Sequence, residues 1–162
     1  GNKKITVSTS GIANKIQEAA EEIGTYLARS LHAPNDELRE KIMPINKKFK
    51  IQDLVKQLKY YTSIVKEPIF LEYVMLKGVN DTEQCAKKLV NLMAQFPSKV
   101  NLIEFNSWPG VKFEPTERKD IEKFSKYIQD KGYMSFIRRS RGDDVLAACG
   151  QLRTTSVLKK NL

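Results

Sequence analysis

IFLEYVML, residues 69–76, is almost continuously apolar. A strand with one wet face alternates apolar and polar residues, whereas a strand of a covered parallel sheet reads as an apolar run. This stretch therefore predicts a buried parallel strand, and the segments around it support that reading. Residues 4–8 (KITVS) read as a strand, residues 11–22 as a helix and residues 26–31 as a short strand. A short helix follows over residues 36–43. Residues 51–65 form an amphipathic helix with Leu54, Leu58 and Tyr61 on one face.

Beyond the apolar run, Asn80 reads as a helix cap, with Glu83 three residues later at the spacing of a capping box. The helix it opens buries Cys85, Leu89, Leu92 and Phe96. Residues 100–105 read as a strand, residues 116–130 as a helix with Ile121, Phe124 and Ile128 on one stripe, and residues 133–137 as the last clear strand. Residues 144–149 read as a helical turn.

Alternating strands and helices predict an α/β fold with a parallel sheet. Each strand ends in a polar or glycine-rich cluster: STSG, SLHAPND, KGVND, FNSWPG and RRSRGDD. Ligands of parallel α/β folds sit at the carboxyl ends of the strands, so these clusters are expected to form the rim of one site. Four or five strands cannot close a barrel. The chain is therefore expected to be the C-terminal part of something larger, with residues 1–152 in the core and 153–162 as a tail.

The 162 residues amount to about one domain. No run of ~18 apolar residues predicts a membrane helix, and GNKKITVSTS lacks the apolar centre of a signal peptide. A cytoplasmic protein is expected, with no membrane association and no protein partner indicated. Two cysteines do not make a disulfide framework, and with a single histidine they cannot supply a zinc or iron–sulfur site. The net charge of +9 suits a polyanion such as nucleic acid, or a lysine-rich solvated surface. No P-loop is present, no GxGxxG follows a strand, and no nucleophile elbow is found.

The candidate residues each admit a plain reading. Cys149, between Ala148 and Gly150, is a thiolate nucleophile if a helix terminus or Arg138, Arg139 and Arg141 stabilise it, or a small buried hydrophobe. Cys85 lies on an apolar helix face and reads as core. His32 is a base, a ligand contact or a loop histidine. Ser8, Thr9 and Ser10 bond a ligand or cap a helix, and Asn106 stands at a strand end. Asp143 and Asp144 cap the last helix, or hold the arginines or a ribose. Glu72, inside the apolar run, needs a partner if buried. Trp108 stacks on a base or packs.

Taken together, six segments resemble one family. ITVSTSG (5–11), SLHAPNDELR (30–39), MPIN (43–46), EYVML with GVND (72–81), VNLIEFNSWPG (100–110) and RRSRGDDVLAACGQL (138–152) look like the C-terminal half of the RlmN family. These are radical-SAM methyltransferases of adenine carbon 2 in 23S rRNA and tRNA. The resemblance implies the C-terminal portion of a partial (β/α)6 TIM-like barrel with parallel strands, using S-adenosylmethionine and a 4Fe–4S cluster. It implies that Cys149 accepts a methyl group from one S-adenosylmethionine, and that a radical from a second lets the methylcysteine carbon add to adenine. Carbon 2 is electrophilic, so a sulfur-stabilised carbon radical suits it where an ordinary methyl donor does not. By position, Ser8, Ser30, Leu31, His32 and Asn106 match the family's S-adenosylmethionine contacts. A carbon-8 branch, Cfr, shares the pattern, but HAPND and RGDD look more like the carbon-2 branch.

Three departures follow. The CxxxCxxC cluster motif, the GEP segment, the resolving cysteine and the catalytic glutamate have no counterpart here, so the chain alone is expected to be inactive; the alternative is a non-catalytic split or degraded gene product with weak RNA affinity. Arg29 stands where the family has an aliphatic residue. Facing the helix layer, it must snorkel outward or persist as an unselected departure. The segment 21–26 is looser than the family pattern.

Overall fold

A computed structural model describes residues 6–9, 26–107 and 110–138. Five strands, β1 (Thr6–Thr9), β2 (Tyr26–Ser30), β3 (Ile69–Met75), β4 (Ser98–Glu104) and β5 (Ser135–Arg138), form one sheet in sequential order. Every neighbouring pair is parallel. The apolar run is indeed the central strand.

Sequential order has a geometric consequence. Each crossover steps the same way along the sheet, and parallel crossovers are right-handed, so the connecting helices fall on one face. The described helices are α1 (Asp36–Ile42), α2 (Ile51–Val65), α3 (Glu83–Met93) and α4 (Arg118–Asp130), with a 3₁₀ turn over Pro44–Lys47. Leu54 and Leu58 of α2, Leu89 of α3, and Ile121, Phe124 and Ile128 of α4 pack in one core with Leu27, Leu71, Tyr73, Val100 and Leu102 of the sheet. This singly wound arrangement is an α/β fold built like part of a TIM-like barrel.

The register fixes what the other face carries. Phe70 pairs with Ala28 on one side and Lys99 on the other, and Glu72 with Ser30 and Asn101. These residues alternate with the core-facing ones, so polar groups line the face away from the helices.

Several elements differ from expectation. The N-cap of α3 is Thr82, whose side chain accepts from the Cys85 amide at 3.2 Å, and not Asn80. Glu83 is the first helical residue and pairs with Lys87 at 2.7 Å, so no capping box forms. β4 begins at Ser98 and α4 at Arg118, each two residues from the expected start. β5 begins at Ser135, because residues 129–133 make the turn that leaves α4. Gly132 adopts φ 86° there, and its amide donates to the Gln129 carbonyl at 2.8 Å. Cys85 is buried in the core as expected.

Arg29 faces the helix side, in register with Leu71 and Val100. It does not snorkel: the side chain is fully buried. Desolvation, with a smaller push from the Arg39 charge, lowers its pKa to about 10.

Candidate functional site at the strand carboxyl ends

All-parallel pairing brings Thr9, Ser30, Met75, Glu104 and Arg138 to the same edge of the sheet. The end of β2 is the most elaborately built of these. Ser30 ends the strand, and the Leu31 and His32 amides both donate to the Glu72 carbonyl of β3, at 3.0 and 3.2 Å. His32 then turns the chain in a left-handed conformation, φ 56°, a region that histidine enters more readily than most residues.

The segment after it folds into a brace. Asn35 caps α1 by accepting from the Leu38 amide at 2.9 Å. The helix is seven residues long, yet it places Arg39 beneath the loop with no exposed surface. The Arg39 guanidinium donates from Nε to the Leu31 carbonyl at 3.1 Å, from Nη2 to the Ser30 carbonyl at 3.2 Å, and from Nη1 to Asn46 Oδ1 at 2.8 Å. Burial lowers its pKa, opposed by nearby Asp36. Asn46, from the 3₁₀ turn, donates in return to Asp36 Oδ1 at 2.8 Å, and the same oxygen receives the Ile51 amide at 2.9 Å. One carboxylate thus joins α1, the 3₁₀ turn and the start of α2.

On the other side, Asn80 laces β2 to β3. Its side-chain nitrogen donates to the His32 carbonyl at 2.8 Å and to the Val74 carbonyl at 2.6 Å, and its oxygen accepts from the Leu76 amide at 2.7 Å. The Asn80 carbonyl accepts from the Tyr73 hydroxyl at 2.7 Å. The Val74 amide donates to His32 Nδ1 at 3.1 Å. Burial of the ring, and the Arg39 charge beside it, push the His32 pKa down to about 4.

The loop from β4 arches back over this edge. Leu76 and Pro115 form an antiparallel bridge, the Lys77 amide donates to the Glu114 carbonyl at 2.9 Å, and Thr116 donates to Asp81 at 2.9 Å. Asn106 sits in this loop, half-buried. On the open sheet face, Glu72 accepts from Asn101 at 2.8 Å and lies 3.7 Å from Arg138.

The structure thus gathers Ser30, Leu31 and His32 at one built strand end. Asn106 follows the neighbouring-but-one strand β4, and Ser8 lies on β1, exposed, in register with Ala28. The Leu31 side chain is wholly in the core, and its amide and carbonyl bond to the Glu72 carbonyl and to Arg39. Cys149, Trp108, Asp143 and Asp144 lie outside the described residues. Sequence reasoning missed Arg39, Asn46 and Asn80. For Arg39 a signal existed, since it shares a helical stripe with Leu38 and Ile42.

The Ser30 hydroxyl, the His32 Nε2 and the Asn106 amide make no hydrogen bond to another described residue. They are polar donors and acceptors suited to a nucleoside. No protein-family model matches the chain. It is 49% identical over 158 residues to the dual-specificity RNA methyltransferase RlmN of Hyphomonas neptunium, spanning 97% of this chain and 41% of that protein. The RlmN of Sinorhizobium fredii is 49% identical over 155 residues, spanning 95% and 38%.

The chain resembles the C-terminal part of RlmN. It spans about two fifths of the length of these RlmN proteins. Among solved structures, a radical SAM methyltransferase from Sphaerobacter thermophilus superposes with a TM-score of 0.89 at 38% identity, over 93% of this chain and 45% of that one. A domain of pyruvate-formate lyase-activating enzyme from Bacteroides vulgatus, TM-score 0.65 at 15% identity, shares the fold. Among the described residues, no three His, Cys, Asp or Glu side chains group to hold a metal. These residues therefore do not fit a 4Fe–4S cluster. No described helix is long and apolar enough to cross a membrane.

Proposed function

We propose that this chain is the S-adenosylmethionine-binding C-terminal half of an RlmN-type RNA methyltransferase that modifies adenine carbon 2 in 23S rRNA and tRNA, in the cytoplasm. The observation that supports this reading is the braced Ser30–Leu31–His32 strand end, with its side-chain donors unspent, in a chain so similar to RlmN. Bound there, S-adenosylmethionine supplies the methyl group and, with a 4Fe–4S cluster, one-electron chemistry. The described residues do not hold that cluster.

This chain's residues have distinct tasks. Ser30 and His32 offer a hydroxyl and a ring nitrogen at the end of β2. Asn106, from the loop arching over the same edge, offers an amide that both donates and accepts. Ser8 extends the contact to β1, and Leu31 anchors the segment in the core. Cys149 is assigned as the methyl carrier. Its thiolate would take the methyl group as a thioether, a transfer suited to cysteine because sulfur is both nucleophilic and polarizable.

The test is methylation of 23S rRNA fragments and tRNA by the protein at its natural length, with its cluster reconstituted and labelled S-adenosylmethionine. Mass spectrometry of digested RNA is expected to show 2-methyladenosine, lost in Cys149→Ala. 8-Methyladenosine would replace the carbon-2 assignment with the Cfr-like one. A folded, cluster-loaded protein that labels no RNA would establish the non-catalytic reading.

A further inference from the structure

The Ser30–Leu31–His32 segment has almost no backbone left for a ligand. Its three carbonyls accept from Arg39 Nη2, Arg39 Nε and Asn80 Nδ2, at 3.2, 3.1 and 2.8 Å. The Leu31 and His32 amides are both spent on the Glu72 carbonyl. Buried backbone groups satisfied in this way stay where they are, because releasing them leaves orphaned donors and acceptors. What remains for recognition is the Ser30 hydroxyl and the far side of the His32 ring.

That ring is also chemically fixed. A backbone amide can only donate, so the 3.1 Å contact from Val74 requires an unprotonated Nδ1. The neutral ring then carries its proton on Nε2. Rotating the ring away would strand the Val74 amide. The Arg39 guanidinium disfavours a second positive charge beside it.

We propose that Arg39 and Asn80 are positioning residues that lock His32 as an Nε2–H donor, so that the end of β2 recognises a hydrogen-bond acceptor on its ligand. Resting on the reading above, that acceptor belongs to S-adenosylmethionine: a purine ring nitrogen, a ribose oxygen or the carboxylate. Arg39 acts through the Ser30 and Leu31 carbonyls. Asn80 acts through the His32 carbonyl and through the end of β3, whose Val74 carbonyl it holds. Asn46 in turn orients Arg39. Neither Arg39 nor Asn80 touches the ligand in this arrangement.

The experiment uses the protein at its natural length, with ¹⁵N-labelled histidine. The His32 ring is assigned by the resonances missing in His32→Gln. Long-range ¹H–¹⁵N spectra read the tautomer, and calorimetry with S-adenosylmethionine reads affinity. The wild-type ring is expected as a single neutral Nε2–H tautomer from pH 8 to pH 5.5. Arg39→Lys keeps the charge but not the three-way fork. It and Asn80→Ser are expected to mix the tautomers and weaken binding at least tenfold. His32→Gln, which retains a donor near the Nε2 position, is expected to bind within a few-fold of wild type, and His32→Phe to lose binding.

The wild-type spectrum needs no variant to fold. A ring that samples both tautomers or titrates near its ordinary pKa would overturn the lock, whatever the ligand. Unchanged affinity in both Arg39→Lys and Asn80→Ser would overturn the positioning role. A locked ring in a cluster-loaded protein that binds no S-adenosylmethionine would instead overturn the ligand reading and leave the lock standing.

Discussion

The amide of Val74 donates to Nδ1 of His32 across 3.1 Å, joining residues 42 apart in sequence at the carboxyl edge of the sheet. The same two residues are joined a second time, because Asn80 donates to the carbonyls of both. Strand ends in a parallel sheet otherwise leave unpaired backbone groups, which a loop or water must satisfy. Here side chains satisfy them, and the ends of β2 and β3 become one unit.

Protonation of His32 should therefore weaken the fold. Its pKa is lowered to about 4 in the folded chain, so as pH falls the unfolded chain takes up the proton first, near pH 6.5. The stabilisation is complete above pH 6.5 and is lost progressively down to about pH 4. Linkage gives a loss of about 2 kcal/mol between pH 7 and pH 5. Denaturant titrations at the two pH values should show that difference in the wild type and its absence in His32→Gln. An equal difference in both proteins would assign it to other groups.

Replacing Arg39 with methionine should be among the costlier changes in the chain. Methionine matches much of the length but leaves the Ser30 and Leu31 carbonyls and Asn46 Oδ1 without their donor in a site closed to solvent. The expected loss is about 2–4 kcal/mol in denaturant unfolding. A loss under about 1 kcal/mol would show that water replaces the guanidinium and that the brace is dispensable.

The fold was legible where periodicity is strong. The 51–65 helix has the observed bounds of α2, because Leu54, Leu58 and Tyr61 mark one buried stripe. The apolar run was legible as a buried parallel strand for the same kind of reason. Local signals failed where a partner is distant. Asn80, Asp81 and Thr82 are all good capping residues, but the Asn80 oxygen accepts from the Leu76 amide and its nitrogen reaches the carbonyls of Val74 and of His32, 48 residues earlier, which takes Asn80 out of that role. Helical spacing put Arg39 on a stripe with Leu38 and Ile42, but its charge argued for the surface. At the site, Ser30 and His32 could be placed at a strand end from the sequence. The bond that fixes the tautomer could not, since it depends on the register between β2 and β3.

The corrected cap makes a contrast available. Thr82→Ala removes one acceptor from the Cys85 amide at an exposed helix start, which should cost about 1 kcal/mol. Asn80→Ala removes two donated bonds and one accepted bond from a fully buried residue and should cost at least twice as much. Thermal melts of the two variants side by side measure the ordering. If Thr82→Ala proves the costlier, Asn80 is not the residue that holds the strand ends together.

Glu72 and Asn101 give the last prediction. Both are only 9% exposed, and they meet at 2.8 Å on the sheet face opposite the helices. Arg138, at 3.7 Å, is too solvent-exposed to hold the carboxylate firmly. Removing Asn101 alone, as Asn101→Leu, therefore leaves a largely buried charge without its principal donor, at a cost of about 1–3 kcal/mol. Replacing both, as Glu72→Leu with Asn101→Leu, removes the charge along with its partner and should recover much of that loss, because apolar pairs of similar shape are often neutral replacements. The coupling from such a double-mutant cycle should exceed about 1 kcal/mol. Near-zero coupling would mean that the carboxylate turns to solvent when Asn101 is lost, and that the face away from the helices is wetter than its burial indicates.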